Sequence, residues 1–306
     1  MVALLFPGQG SQFVGMGREL AERYSAARAV YQEADDVLGS ALSRLAWEGP
    51  LDQLTHTHNA QPAILVHSIA AYRVAADRLG AVDFAAGHSL GEFSAYVAAG
   101  SLELGAAVRT VRRRGELMFR SGKQTPGTMA ALIGLDDAQV ESVCREASAS
   151  GGTCTAANYN APSQVVISGD VPTVQKAIEL ARAAGAKRAI LLNVSGAFHS
   201  SLMGLATPGF TAQLDTVAVA APRFPVISNV SAQPVVDPVA VRRLLVEQLT
   251  SPVRWTASMQ TILAAGVREF VELGPGDVLG GLLRRIDRSA RCRTVGTPED
   301  VEALDA

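Results

Sequence analysis

Phe84-Ala85-Ala86-Gly87-His88-Ser89-Leu90-Gly91 is the stretch on which the fold turns. A short apolar strand, Phe84 to Ala86, runs into a G-x-S-x-G pentapeptide, and a helical pattern follows from Leu90 to Ala99, with Gly100 as its cap. The two glycines let the chain turn sharply between strand and helix. The serine is then pushed out of the backbone at a helix N-terminus, where the free N–H of Leu90 and the positive end of the helix dipole can stabilise an oxyanion. The competing reading is a plain glycine-rich turn with Ser89 as a helix cap. The strand before and the helix after favour a nucleophile.

Working outward, Val2 to Phe6 reads as a buried strand that ends in the turn Pro7-Gly8-Gln9-Gly10-Ser11-Gln12. Helical patterns cover Gly17 to Leu38, a long segment that starts at Pro62 and is closed by Gly80, and Glu103 to Arg120. Strands alternating with helices predict a parallel sheet covered by helices. The middle of the chain changes character. Thr128 to Gly134, Cys154 to Asn160, Gln164 to Gly169 and Arg188 to Asn193 are strand-like, while Asp137 to Ser148 and Val171 to Gly185 are helical. The order β-α-β-β-α-β is the ferredoxin-like pattern. Residues 128–193 are therefore expected to form a small α+β domain inserted into a large α/β domain made of 1–127 and 194–306. Phe224 to Asn229 and Glu269 to Leu273 should add strands to the main sheet, and the acidic tail Glu299 to Ala306 should fray.

Composition narrows the function. A net charge of −2 over 306 residues offers no field to draw nucleic acid or an anionic membrane surface. The three cysteines, Cys144, Cys154 and Cys292, form no CxxC pair or Cys/His cluster, so neither a metal nor a disulfide framework is expected. The apolar N-terminus stops at Pro7 with no basic region before it, too short for a signal peptide or a membrane span; the cytoplasm is the expected compartment.

Gly8-Gln9-Gly10 also lies between a strand and a helix, but Phe13 stands where a dinucleotide fingerprint needs glycine or alanine. Its better role is to carry Gln9, as side chain or backbone donor, towards the oxyanion. A serine hydroxyl needs a base within hydrogen-bond reach. Of five histidines, His56 and His58 look solvated, His67 sits in an apolar helix, and His88 points away from its neighbour in a tight elbow. His199, in Ser195-Gly196-Ala197-Phe198-His199-Ser200, follows a strand, and small residues there let a loop approach the elbow. It is the best-placed base, although a loop histidine is as readily structural or solvated. No acidic third member stands out. Among Arg112, Arg113 and Arg114, the first two have Glu116 as a helical neighbour, whereas Arg114 borders the buried face beside Val111, Leu117 and Met118. A buried guanidinium needs a partner, either a fixed internal acid or one that arrives with substrate.

These residues, with Phe6 to Gln12, Arg114-Gly115-Glu116-Leu117-Met118, Asn158-Tyr159-Asn160-Ala161-Pro162, Gln248 to Trp255 and Leu273-Gly274-Pro275-Gly276, resemble malonyl-CoA:acyl-carrier-protein transacylases, in the right order from about residue 3 to 290. The resemblance implies a hydrolase-like parallel sheet covered by helices, with an inserted ferredoxin-like α+β subdomain. It implies Ser89 as nucleophile, His199 as general base and then acid, and the Gln248 backbone carbonyl orienting His199. The N–H groups of Gln9 and Leu90 would be the oxyanion donors. Arg114 would hold the malonyl carboxylate bidentately in a pocket with Met118, Phe198 and Asn160. Phe198 resembles malonyl-using members; users of branched malonyl units tend to carry serine there. Phe119, Asp277 and Gly280 depart from the usual glutamine, lysine and threonine.

The implied partners are malonyl-CoA and a holo acyl carrier protein of fatty-acid synthesis, with no metal or other cofactor, no nucleic acid and no membrane. An acidic carrier calls for a basic surface. Arg284, Arg285, Arg288, Arg291 and Arg293 form a local cluster that also reads as an ordinary solvated helix face. Three other readings share the scaffold: a free-standing acyltransferase for a polyketide synthase, an editing hydrolase, and a non-catalytic carrier-binding protein. Arg114 speaks against the hydrolase, and intact Ser89 and His199 speak against the last.

Overall fold

The computed structural model describes residues 1–304. The first part of the chain runs through β1 (Val2–Phe6), α1 (Arg18–Arg23), α2 (Ser25–Leu38), α3 (Leu42–Glu48), α4 (Leu51–Thr55) and α5 (Thr57–Ala75). It continues with β2 (Val82–Gly87), α6 (Gly91–Ala98) and α7 (Leu104–Gln124). The middle comprises β3 (Gly127–Ile133), α8 (Asp137–Ser148), β4 (Cys154–Ala161), β5 (Gln164–Asp170), α9 (Val171–Ala183) and β6 (Arg188–Leu191). The chain then returns through α10 (Thr207–Asp215), β7 (Val226–Ile227), β8 (Pro234–Val235), α11 (Pro238–Glu247) and α12 (Trp255–Ala264). It ends in β9 (Glu269–Leu273), α13 (Val278–Ile286), β10 (Arg291–Val295) and α14 (Pro298–Glu302).

The main sheet has the order β10-β9-β1-β2-β7-β8, parallel throughout except for the final β7–β8 pair. β1 reads as an unbroken apolar run because it is covered on both faces: Ala3, Leu4, Leu5 and Phe6 are all buried. Its register with β2 sets Phe6 opposite Gly87, and the His88 N–H donates to the Phe6 carbonyl at 3.0 Å. The Pro7–Gln12 turn and the serine elbow thus emerge side by side at the carboxyl ends of adjacent strands, where α/β sheets bind ligands.

Elements β3 to β6 with α8 and α9 build a separate antiparallel sheet of order β4-β5-β3-β6. Its own core includes Leu132, Val140, Val165, Ile167 and Val174. The ferredoxin-like insert is attached through β4. There the Tyr159 N–H donates to the Val253 carbonyl at 2.9 Å, and the Val253 N–H to the Ala157 carbonyl at 2.8 Å.

Several expected elements differ. The Gly17–Leu38 helix breaks at Tyr24, which is extended (φ −117°). Arg28 satisfies the carbonyls freed by the break, donating to Ala21 at 3.0 Å and Glu22 at 2.8 Å. Helix α5 starts five residues before Pro62, which lies inside it. The carbonyl that a proline at 62 leaves without its i+4 donor is that of His58, and Arg112 donates to it at 3.0 Å. Pairing in the Phe224–Asn229 stretch is confined to Val226–Ile227 because Asn229 turns away to the serine elbow. Strand β10 escapes sequence reading because its arginines alternate along an exposed edge. The tail does not fray through Leu304: Thr297 and Asp300 form a capping box on α14, and Arg23 pairs with Glu299 and Glu302. Asp305 and Ala306 lie outside the described residues. Among the described residues, no helix is long and apolar enough to cross a membrane.

Candidate active site

Gly87 and Gly91 are glycines for want of room. A Cβ on Gly87 would stand 1.9 Å from the Gly91 carbonyl carbon, and one on Gly91 would stand 2.1 Å from the Phe6 oxygen. Ser89, between them, is held at φ 51°, a left-handed conformation that costs a non-glycine residue free energy and persists only where the surroundings enforce it. Asn229 is the enforcer. Its Oδ1 accepts from the Ser89 N–H at 2.7 Å, and its Nδ2 donates to the Gly87 carbonyl at 2.7 Å. Nothing in the local sequence marks this asparagine, whose role depends on a strand joining the sheet 140 residues downstream of Ser89.

His199 is likewise in the left-handed region, at φ 56°. Its Nε2 lies 2.8 Å from Ser89 Oγ, and its Nδ1 lies 2.9 Å from the Gln248 carbonyl and 3.2 Å from that of Ser251. Two carbonyl acceptors require the proton on Nδ1, which leaves Nε2 free to accept from the serine. The orienting role usually filled by a carboxylate falls here to main chain. Burial, and then the charge of Arg114, push the imidazole down to about 3, so it is neutral and able to act as a base at neutral pH. The segment before it packs closely on α7: a Cβ on Gly122 of that helix would stand 2.2 Å from the Ser195 carbonyl oxygen.

The other histidines are elsewhere engaged. His88 Nε2 meets Asn160 Oδ1 at 2.8 Å and its ring packs near Trp255, so its partner is that amide and not Ser89 Oγ. His67 is buried against the Gly296 carbonyl at 2.9 Å. His58 is only half-exposed and, with His56, clusters against Phe119. Phe119 accordingly faces a side cavity with His56, outside the pocket that holds Ser89.

Arg114 is 1 % exposed. It donates to Gln61 Oε1 at 2.8 Å, to Gln248 Oε1 at 2.9 Å and to Ser89 Oγ at 3.1 Å, and its guanidinium carbon lies 5.7 Å from the centre of the Phe93 ring. Its Nε has no partner. Both acceptor side chains are neutral amides. No carboxylate forms an ion pair with it among the described residues, whereas Arg112 and Arg113 each pair with Glu116 at 3.4 Å. Burial lowers its pKa to about 10, partly offset by Glu92. Gln61 carries no sequence signal beyond being a polar residue in an apolar helix, and Glu92, the last residue of the Gly87–Glu92 motif, is marked by that motif but given no role by it.

Ser89, Arg114, His199, Gln9, Leu90, Met118, Phe198 and Asn160 all line one cavity of about 300 Å³. Gln248 stands behind it, fully buried. The Gln9 side chain is turned to Thr57 Oγ1 at 3.3 Å, and the main chain of its turn runs against the elbow, where a Cβ on Gly8 would stand 2.6 Å from the His88 carbonyl oxygen. The N–H groups of Gln9 and Leu90 make no hydrogen bond with another described residue. The insert supplies one wall through Met129, Asn158, Asn160, Gln164 and Val166. The arginine cluster is not one helix face: Arg284 and Arg285 end α13, Arg288 lies in the turn, and Arg291 and Arg293 are on β10. Arg291 lies 3.8 Å from Glu269. Asp277 stands at the N-cap of α13, and Gly280 packs on Cys292.

A serine with a neutral imidazole on one side, a fixed cation on the other and unengaged main-chain donors above it is an acyl-transfer site. Residues 3–300 match the acyl transferase domain family, and the chain belongs to that family. A malonyl CoA-acyl carrier protein transacylase of Bacillus subtilis is 46% identical over 301 residues, covering 98% of this chain and 95% of that protein. The crystal structure of an acyl-carrier-protein S-malonyltransferase from Bartonella henselae superposes with a TM-score of 0.95 at 46% identity, covering 100% of this chain and 99% of that one. A malonyl-transacylase in complex with a type II PKS acyl-carrier protein superposes at 0.96 with 39% identity, over 99% of this chain and 98% of that one.

Proposed function

We propose that this protein transfers a malonyl group from malonyl-CoA to the phosphopantetheine thiol of an acyl carrier protein through a malonyl-serine intermediate. The observation that carries the reading is the position of Ser89 Oγ, 2.8 Å from His199 Nε2 and 3.1 Å from the Arg114 guanidinium. A cation this close to the nucleophile and with no carboxylate in direct contact suits an acyl group that ends in one.

In the mechanism, Arg114 takes the free carboxylate of malonyl-CoA and sets the thioester carbonyl beside Ser89. His199 accepts the serine proton as Oγ attacks. The oxyanion is held by the Gln9 and Leu90 N–H groups, and the imidazolium returns the proton to the departing thiolate. Substrate helps its own base: a carboxylate on Arg114 cancels the positive charge that opposes protonation of His199, so the imidazole becomes more basic once malonyl is bound. The carrier thiol then reverses the sequence. Asn229 and Gln248 position the reacting groups, and Met118, Phe198 and Asn160 shape the pocket. No cofactor is needed, since the CoA thioester is a substrate, and a cytoplasmic location follows from the two soluble thiol carriers. Fatty-acid synthesis is the pathway that this chemistry serves, since a malonyl thioester on a carrier protein is an extender unit for acyl chains; the relative bound to a type II PKS carrier makes a polyketide carrier the second reading.

The test is intact mass. Malonyl-CoA alone should add one malonyl unit, mapped to Ser89, and holo carrier protein should then remove it. A label elsewhere, or a Ser89→Ala protein that still labels, would sink the mechanism.

A further inference from the structure

Behind Arg114 lies an acid to which the proposed transfer assigns no role. Glu92, in the first turn of α6, is 0 % exposed. Its Oε2 accepts from Gln248 Nε2 at 2.6 Å and from the Asn229 N–H at 3.2 Å, while its Oε1 has no partner. Gln248 is the bridge: the same amide that donates to Glu92 accepts from Arg114 at 2.9 Å, and its Nε2 also reaches the Ser89 carbonyl at 3.0 Å. Its amide orientation is therefore set from both ends, oxygen towards the cation and nitrogen towards the acid.

The charged and titratable groups around Glu92 are few. Arg114 on α7 is the one fixed positive charge. Tyr96 lies one turn along α6 with its hydroxyl unpartnered, and His199 and His88 lie beyond Ser89. Burial alone pushes Glu92 up, and Gln248, Asn229 and Arg114 together pull it only part of the way back, to about 7. Without substrate, one guanidinium serves one buried carboxylate through an amide. With malonyl bound, it faces two carboxylates in a dry site, which a single positive charge cannot hold ionised together.

We infer that Glu92 is the resident counter-ion of Arg114, and that entry of the malonyl carboxylate drives Glu92 to take up one proton from solvent. The inference rests on the malonyl reading above. Glu92 is then a positioning residue that couples substrate choice to pH through Gln248 and Arg114. Its sign follows from linkage. Malonyl binds best to the form with Glu92 protonated, so preference for malonyl is greatest below about pH 7. The preference falls as pH rises, by up to about tenfold per unit, until the raised value in the complex is reached.

The experiment measures kcat/KM for malonyl-CoA and acetyl-CoA from pH 6 to pH 9 and takes their ratio. The CoA phosphates are common to both substrates and divide out, and His199, pushed down to about 3 in the free protein, starts neutral throughout this range with either one. The malonyl carboxylate is ionised throughout, as an ordinary carboxyl near 4 would be. In the wild type the ratio should fall about tenfold between pH 7 and pH 8.5. In Glu92→Gln, which keeps an acceptor for Gln248 but has no charge to lose, it should be flat. Calorimetry of malonyl-CoA binding in buffers of different ionisation enthalpy should register proton uptake by the wild type at pH 7.5, whether or not the variant folds. A malonyl preference that is flat with pH in the wild type, or that slopes equally in Glu92→Gln, overturns the inference and leaves the proposed function standing. No preference for malonyl at any pH overturns the substrate assignment and the inference with it.

Discussion

The two sides of the pocket are built in opposite ways. On the serine–histidine side the groups stand on loops, both at positive φ, and their partners are main-chain carbonyls and the Asn229 amide. On the arginine side the groups stand on regular helices. Gln61 comes from α5, Glu92 from α6 and Arg114 from α7, with Gln248 at the end of α11, and they are joined side chain to side chain. The difference follows from what each side must do. A nucleophile and its base have to project from the backbone and meet within one hydrogen bond, which demands sharp turns. A recognition cation has to stay charged without water, which demands a stiff, dry frame that also supplies polar partners. Damage to the first side should therefore affect every acyl group, and damage to the second should affect the choice among them.

The largest effect expected is on the loop side. His199→Ala should slow acylation by malonyl-CoA and acetyl-CoA alike, by about 10²–10⁴-fold, the usual size of general-base catalysis. Stopped-flow acylation rates, with circular dichroism as the folding check, measure it; wild-type rates would assign the base elsewhere. The comparison is sharpened on the helix side. Arg114→Ala should cost malonyl transfer about 2–5 kcal/mol in kcat/KM, the penalty for stranding one half of a desolvated charge pair, while acetyl transfer holds or improves. Arg114→Lys should restore only part of the loss, because an ammonium cannot make the planar two-point contact. Equal losses for both substrates would make Arg114 a structural cation and break the division drawn here. The smallest effect belongs to the pocket wall. Phe198→Ser should raise the methylmalonyl/malonyl ratio of kcat/KM by about 1–3 kcal/mol, what one methyl group decides in a pocket. An unchanged ratio would mean that the ring does not limit the acyl group.

Much of this was legible in the chain itself. The elbow needs only local information: Gly87 and Gly91 flank Ser89 between an apolar strand and a helix, and the structure gives each glycine a steric reason. The β-α-β-β-α-β order of the insert was likewise readable, because its strand segments are short and its two helices start at the caps Asp136 and Asp170. Arg114 could be separated from Arg112 and Arg113 because helical spacing assigns each residue a face. Element ends were less legible. A break at Tyr24 satisfied by Arg28, or Pro62 inside a helix with Arg112 on the carbonyl it frees, depends on donors brought from elsewhere.

Sequence alone thus determined the residue types that bear the chemistry and the elements that present them, since backbone turns and helical faces are set within a few residues. Tertiary structure alone decided the relations among them. It brought His199 within 2.8 Å of a serine 110 residues away, and gave its Nδ1 a carbonyl from Gln248. It placed Asn229 under the elbow and gave Arg114 amides as its direct partners, with the Glu92 carboxylate one amide away. The physical reason is range. A turn or a cap is a contact between chain neighbours, whereas a buried cation's partners and a base's orientation are set by which distant segments the packed core presses together, and no local pattern records that.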